Sequence, residues 1–104
     1  MKTPVKIPPR EMEAAAGRAS EFLKTLSNEA RLRILCALAP GEKSVSALCT
    51  ELSMRQAAVS QQLQRLRAEH MVRTRRQGKE VYYKIDSHEV RTLLNVLKEI
   101  FDQG

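Results

Sequence analysis

Large aromatic side chains are scarce in this chain. There is no Trp, and the aromatic set is Phe22, Phe101, Tyr82 and Tyr83. A core made without them is aliphatic, which points to helices and to completion by a second subunit. Cysteine is scarce too: Cys36 and Cys49 are too few for a disulfide scaffold. Histidine is limited to His70 and His88. No Ser/His/acid set, phosphate-cradling Gly loop or pair of catalytic carboxylates can be assembled, so an enzyme is not expected. No apolar run approaches the roughly 20 residues that span a bilayer. The basic start, MKTPVKIPPR, is followed by no apolar run and does not read as a signal peptide. The expected compartment is cytoplasmic. At 104 residues, 42% hydrophobic and 29% charged, the chain is expected to form one globular domain.

What is abundant is positive charge, and it is concentrated. The net charge of the whole chain is +6. Residues 53–84 carry eight Lys/Arg against Glu69 and Glu80, so this stretch alone accounts for +6. The flanking segments cancel one another. A focused positive field is what a polyanion-binding surface needs, although a basic face also serves solubility.

Residues 1–9 hold three prolines and no periodicity, and read as a flexible arm ahead of one domain over 10–104. From Arg10 to Leu26 the apolar residues Met12, Ala15, Ala16, Ala19, Phe22, Leu23 and Leu26 follow helical spacing. Ser27 or Asn28 can cap a second helix reaching Leu38, apolar on more than one side and ended by Pro40-Gly41. Ser44 can cap a short third helix with Val45, Leu48, Cys49 and Leu52 on one face. After a tight Ser53-Met54 turn, a fourth helix runs to about Glu69. Its apolar residues are Val59, Leu63 and Leu66. Gln56, Ala57, Ser60, Gln61 and Gln64 lie on another face, roughly 125° away at about 100° per residue. The period then changes. Val72–Arg76 and Glu80–Ile85 read as two strands around Gln77-Gly78, since Gly supplies positive φ at a hairpin turn. Asp86 begins the last helix, with Glu89 as its capping-box partner. That helix carries the stripe Val90, Leu93, Leu94, Leu97, Ile100 and Phe101.

The fold class this implies is mainly α with a two-stranded β-hairpin wing: a winged helix-turn-helix ordered α-α-α-α-β-β-α and dimeric. The polar face of the fourth helix is suited to a major groove, where Gln meets adenine edges and Arg forks onto guanine. Arg55, Gln56, Ala57, Ser60, Gln61, Gln64 and Arg65 are the candidates there, and Arg75, Arg76 and Lys79 are the candidates on the wing for phosphate contact. Phe22 and the last-helix stripe offer more apolar surface than one small core covers, which argues for dimerisation. A two-fold axis would present two recognition helices one DNA turn apart. The rival class is a helical interaction module whose basic hairpin meets an acidic protein.

The stretches LSNEARLRILCAL (26–38), SALCTELSMRQAAVSQQLQRLRAEHMV (46–72) and TRRQGKEVYYKI (74–85) resemble the ArsR/SmtB family of bacterial transcriptional repressors. The most specific parts are Q-x-x-V-S-Q-x-L (56–63) and R-x-G-x-x-V-Y-Y (76–83). The resemblance implies a homodimer joined through its first and last helices. Such a dimer binds a palindromic operator and represses until an effector releases it. It also implies that Gln56, Ala57, Ser60 and Gln61 face bases, with Arg75, Arg76 and Lys79 in the wing. Arg55 departs from the pattern, which has a Ser cap at that slot.

The family's third-helix metalloid site needs a C-x-C pair, and the matching slots here are Ser44 and Ser46, with Cys49 only in an accessory position. Hydroxyls are poor ligands for soft ions. Its last-helix zinc site has a spacing that Asp86, His88, Glu99 and Asp102 reproduce, but one residue out of register against Tyr82-Tyr83. One residue turns a helical ligand by about 100°. No metal and no cofactor are expected. RLRILCAL also resembles the family's sulfide- and persulfide-sensing branch, which places a cysteine where Cys36 stands. The partner cysteine of that branch is replaced by Asp102, leaving Cys49 as a substitute. The alternative is that both thiols act as small hydrophobes. Cys36, between Ile34-Leu35 and Leu38, is expected to be the shielded one, and Cys49, three residues before the turn, the accessible one. The expected partners are double-stranded DNA and a second copy of the chain, with no membrane and no small-molecule substrate.

Overall fold

The computed structural model describes residues 4–102. Five helices and three short strands follow one another as α1 (Pro9–Leu26), α2 (Glu29–Leu38), β1 (Lys43–Ser44), α3 (Val45–Leu52), α4 (Gln56–Ala68), β2 (Val72–Gln77), β3 (Glu80–Ile85) and α5 (His88–Phe101). Residues 1–3 of the expected arm, and 103–104 of the expected domain, lie outside the described residues. Residues 4–8 carry neither helix nor strand. Among the described residues, no helix is long and apolar enough to cross a membrane.

Capping residues explain most of the helix starts. The Asn28 side chain accepts the Arg31 backbone N–H at 3.0 Å, and that of Ser44 accepts the Ala47 N–H at 3.0 Å. The last helix corrects the sequence reading. Its cap is Ser87, whose hydroxyl accepts the Val90 N–H at 3.1 Å. Asp86 instead ends the sheet region, donating its backbone N–H to the Met71 carbonyl at 2.8 Å. That tertiary bond holds Asp86 back, so the helix starts one residue later than expected.

The sheet has three antiparallel strands in the order β1-β3-β2. The wing hairpin therefore gains a third strand, in which Lys43 pairs with Tyr83 and Ser44 with Tyr82. Two residues are too short to show a period of two, so no sequence pattern announces them. Gln77 pairs with Glu80, which moves the turn to Gly78-Lys79, one residue beyond the expected position. Gly78 has φ +62° and Lys79 is not in the positive region, the pattern of a type II′ turn with Gly first.

The core is aliphatic. Ile34, Leu35, Leu48, Val59, Leu63, Leu66 and Val90 are fully buried and draw together α2, α3, α4 and the start of α5. Met71, Val72, Tyr83 and Ile85 close it from the sheet. The sequence stripe places Val90 with the dimerisation residues, and the structure corrects this. Val90 is 0% exposed within one protomer and has no surface left for a partner. Farther along α5, Leu93 and Leu94 are half-buried against the core.

Candidate nucleic-acid interface

α3 and α4 meet at a sharp corner. Ser53 ends α3 in the left-handed region, at φ +54°, and the Met54 N–H returns to the Cys49 carbonyl at 3.0 Å. Arg33 reaches across from α2 and donates to the Leu52 carbonyl at 2.8 Å, satisfying a carbonyl that the helix end leaves open. Arg31, two residues earlier, donates to the Thr25 carbonyl at 2.6 Å and to Gln62 Oε1 at 2.8 Å. It therefore ties the end of α1 to the inner side of α4. Neither arginine stood out in the sequence, where a cation on a helix reads by default as a solvated face.

Val59, Leu63 and Leu66 seat α4 in the core, and this turns its opposite side outward. Gln56, Ala57, Gln61, Gln64 and Arg65 are exposed and Ser60 is half-exposed. Arg65 is engaged by Glu69 one turn on, at 3.3 Å. Arg55 occupies the N-cap position without a side-chain cap bond, and its exposed guanidinium extends the outer surface of α4. The departure from a Ser cap at that slot thus leaves the helix start without that side-chain bond.

Between α4 and the wing lies a cleft of about 530 Å³. Gln56, Ser60 and Gln64 line one wall, and Lys79, Val81 and Tyr83 the other. Cross-strand partners share a face of a sheet. Thr74 opposite Tyr83 and Arg76 opposite Val81 therefore belong to the face that looks toward α4. Arg76 and Lys79 are exposed and make no ion pair among the described residues. Glu80 brings a carboxylate to the same cleft and accepts from the Ser46 hydroxyl at 3.1 Å, fastening the wing to α3.

Arg75 lies elsewhere. It is opposite Tyr82, on the face turned away from α4. Its guanidinium sits 4.7 Å from the Tyr82 ring centroid. It donates to both carboxylate oxygens of Glu42, at 2.8 and 3.0 Å, and to Gln77 Oε1 at 2.7 Å. The hydrogen bond from Arg75 holds the Glu42 carboxyl below its ordinary range, and Glu42 in turn raises Arg75. The structure thus sets Arg75 apart from Arg76 and Lys79, with which the sequence had grouped it.

The two thiols are free, and their exposure is the reverse of the sequence expectation. Cys36 is exposed because Ile34, Leu35, Ala37 and Leu38 all face the core and the intervening position points away. It borders an apolar groove of about 470 Å³ with Leu94, Leu97 and Phe101. Cys49 is half-buried beside the α4–wing cleft. Among the described residues no group of three or more His, Cys, Asp or Glu side chains is placed to hold a metal ion. Asp86 faces Arg73 at 4.0 Å, His88 contacts Thr92 at 3.5 Å, and Asp102 pairs with Lys98 at 2.8 Å.

Comparison with known proteins agrees with this architecture. Residues 28–74 match the family described as bacterial regulatory protein, arsR family. The chain is 38% identical over 95 residues to the transcriptional activator HlyU of Vibrio cholerae, covering 91% of this chain and 88% of that protein. It superposes on the transcriptional repressor BigR from Xylella fastidiosa with a TM-score of 0.87 at 37% identity, covering 91% of this chain and 97% of that one. It also superposes on the homodimeric winged helix-turn-helix DNA-binding domain Mb0332 from Mycobacterium bovis, with a TM-score of 0.74 at 31% identity. That match covers 96% of this chain and 92% of the other.

Proposed function

This chain belongs to the bacterial ArsR family of regulatory proteins, and we propose that it binds double-stranded DNA as a homodimer and controls transcription by occupying a palindromic operator. The observation that carries the proposal is the arrangement of α4 and the wing. A polar, outward-facing helix adjoins a cleft lined by Lys79, with Arg76 on the same face of the wing, and neither cation has an ionic partner among the described residues. In this reading α4 enters the major groove. Gln56, Ala57, Ser60, Gln61 and Gln64 meet base edges, Arg55 and Arg65 meet the flanking backbone, and the wing cations meet phosphates. Bound over a promoter, such a dimer acts as a repressor by excluding polymerase.

Partner and site readings come apart in a DNA-binding titration on the region upstream of its own gene, beside random DNA. Gln56→Ala should lower the ratio of operator to random affinity, by about 1–3 kcal/mol. Arg76→Ala should weaken both DNAs alike and reduce the magnitude of the log–log salt slope by about 0.9, the loss of one phosphate. Equal loss on both DNAs for Gln56→Ala removes it from the base-reading set.

The exposure of Cys36 favours a thiol-reactive effector as the releasing signal. Within one protomer the sulfur is exposed and shares a groove with α5, so a modification there changes how α2 and α5 meet. If so, persulfide or mild oxidant releases the wild type from DNA and leaves Cys36→Ser bound. Release of Cys36→Ser at wild-type effector concentration excludes this role.

A further inference from the structure

The wing carries three cations near its tip, and one of them does not face the cleft. Arg75 and Tyr82 are a cross-strand pair on the outer face of the sheet. Glu42 reaches that same face from the residue before β1. Because Lys43 pairs with Tyr83, Glu42 falls level with Lys84, beside Tyr82. Arg73, Arg75 and Lys84 all lower its carboxyl electrostatically. The Arg75 fork takes both oxygens of Glu42, and its remaining edge takes Gln77, the last residue of β2 before the turn. One guanidinium therefore joins three places: the loop leaving α2, the middle of β3 and the start of the wing turn.

We propose that Arg75 is a positioning residue for DNA binding, which sets the wing against α4 through Glu42 and takes no phosphate itself. The inference rests on the DNA-binding reading above and refines which cations perform it. Two features of the geometry support it. A planar guanidinium with its fork on a carboxylate and its face on a ring is held in one orientation, whereas a phosphate contact at a wing tip needs only a point charge. Moreover, releasing Arg75 toward DNA would strip Glu42 of its hydrogen-bonded cation and leave an anion next to the phosphates, offset only at longer range by Arg73 and Lys84. Arg76 and Lys79, on the side facing α4, already supply cations that make no ion pair among the described residues.

Glu42→Gln distinguishes the two roles by sign. If Arg75 contacted phosphate, removing the anion that competes for it would tighten DNA binding. If Arg75 positions the wing through Glu42, the same change loosens the hairpin and weakens operator binding by about two- to fivefold, the worth of an exposed pair. Arg75→Ala should show a similar loss with the salt slope unchanged, unlike Arg76→Ala. The double variant Glu42→Gln/Arg75→Ala should be no weaker than either single one. Arg75→Lys should fail to rescue, since Lys keeps the charge and loses the fork. Tighter or unchanged binding by Glu42→Gln, a slope reduced by about 0.9 in Arg75→Ala, or full rescue by Arg75→Lys each overturns the proposal. Amide hydrogen exchange of β2 and β3 in DNA-free protein is the independent readout. Faster exchange in Glu42→Gln and in Arg75→Lys than in Arg76→Ala is expected. Failure of the wild type to bind DNA would sink the functional reading and leave this measurement interpretable, and equal exchange in all variants would sink the clamp.

Discussion

The two halves of α5 carry one continuous apolar stripe and have opposite fates. Val90, in its first turn, is 0% exposed, whereas Ile100 and Phe101, in its last, are 54% and 72% exposed. Nothing in residue type separates the halves. The difference lies in what each is anchored to. The first turn is capped by Ser87 and pinned by Arg91, which donates to the Ile85 carbonyl at the end of β3. This lays it over the core formed by α2, α4 and the sheet. The last turns run past that core and border, with the end of α2, the groove that Cys36 lines. α1 shows the same division, with Leu26 buried and Leu23 and Met12 exposed. An apolar stripe thus reports that a surface will be covered, but not by which molecule.

The sharpest way to break this contrast is a charge at each end. Val90→Asp places an unpaired carboxylate in a dry core and should cost about 4 kcal/mol or more, enough to unfold much of the population in a urea or thermal melt. Phe101→Glu should leave the helical circular dichroism of the fold in place. It should shift the mass seen by light scattering from twice the 11.8 kDa chain toward one. A Phe101→Glu protein that remains dimeric would assign the exposed half some other role.

The groove between α2 and α5 offers a finer measure of the same contrast. If the second protomer covers it, a maleimide should label Cys36 faster in Phe101→Glu than in wild type, while the labelling of Cys49 stays constant. Equal Cys36 rates in the two proteins would place the groove outside the interface.

The smallest expected effect locates the border at which the buried half begins. Ser87→Ala removes the α5 cap and should lower stability by about 1 kcal/mol. Asp86→Ala removes only an exposed ion pair with Arg73 and should fall within about 0.5 kcal/mol of wild type. The reverse order in denaturant midpoints would restore Asp86 as the cap.

The same division separates what was legible in the sequence from what was not. Helical period placed Val59, Leu63 and Leu66 inward and Gln56, Gln61 and Gln64 outward, because neighbours three and four residues apart decide the face of a helix. Gly at a two-residue turn made the hairpin visible for an equally local reason. Cap chemistry found Ser44 and narrowed the start of α2 to Ser27 or Asn28, of which the structure uses Asn28. It missed Ser87 because a bond from Asp86 to Met71, fifteen residues back, outbid the local signal.

Local spacing by itself therefore determined the order of the helices, the helix-turn-helix, the wing and the concentration of positive charge beside it. Only the tertiary structure decided matters that depend on distant partners. It drew Arg75 onto Glu42, 33 residues away, so that Arg75 differs from Arg76 despite standing next to it. It also added β1 and divided α5 into a buried half and an open one. The physical reason is that periodicity fixes a side chain's direction about its own element, while its partner depends on how the elements pack.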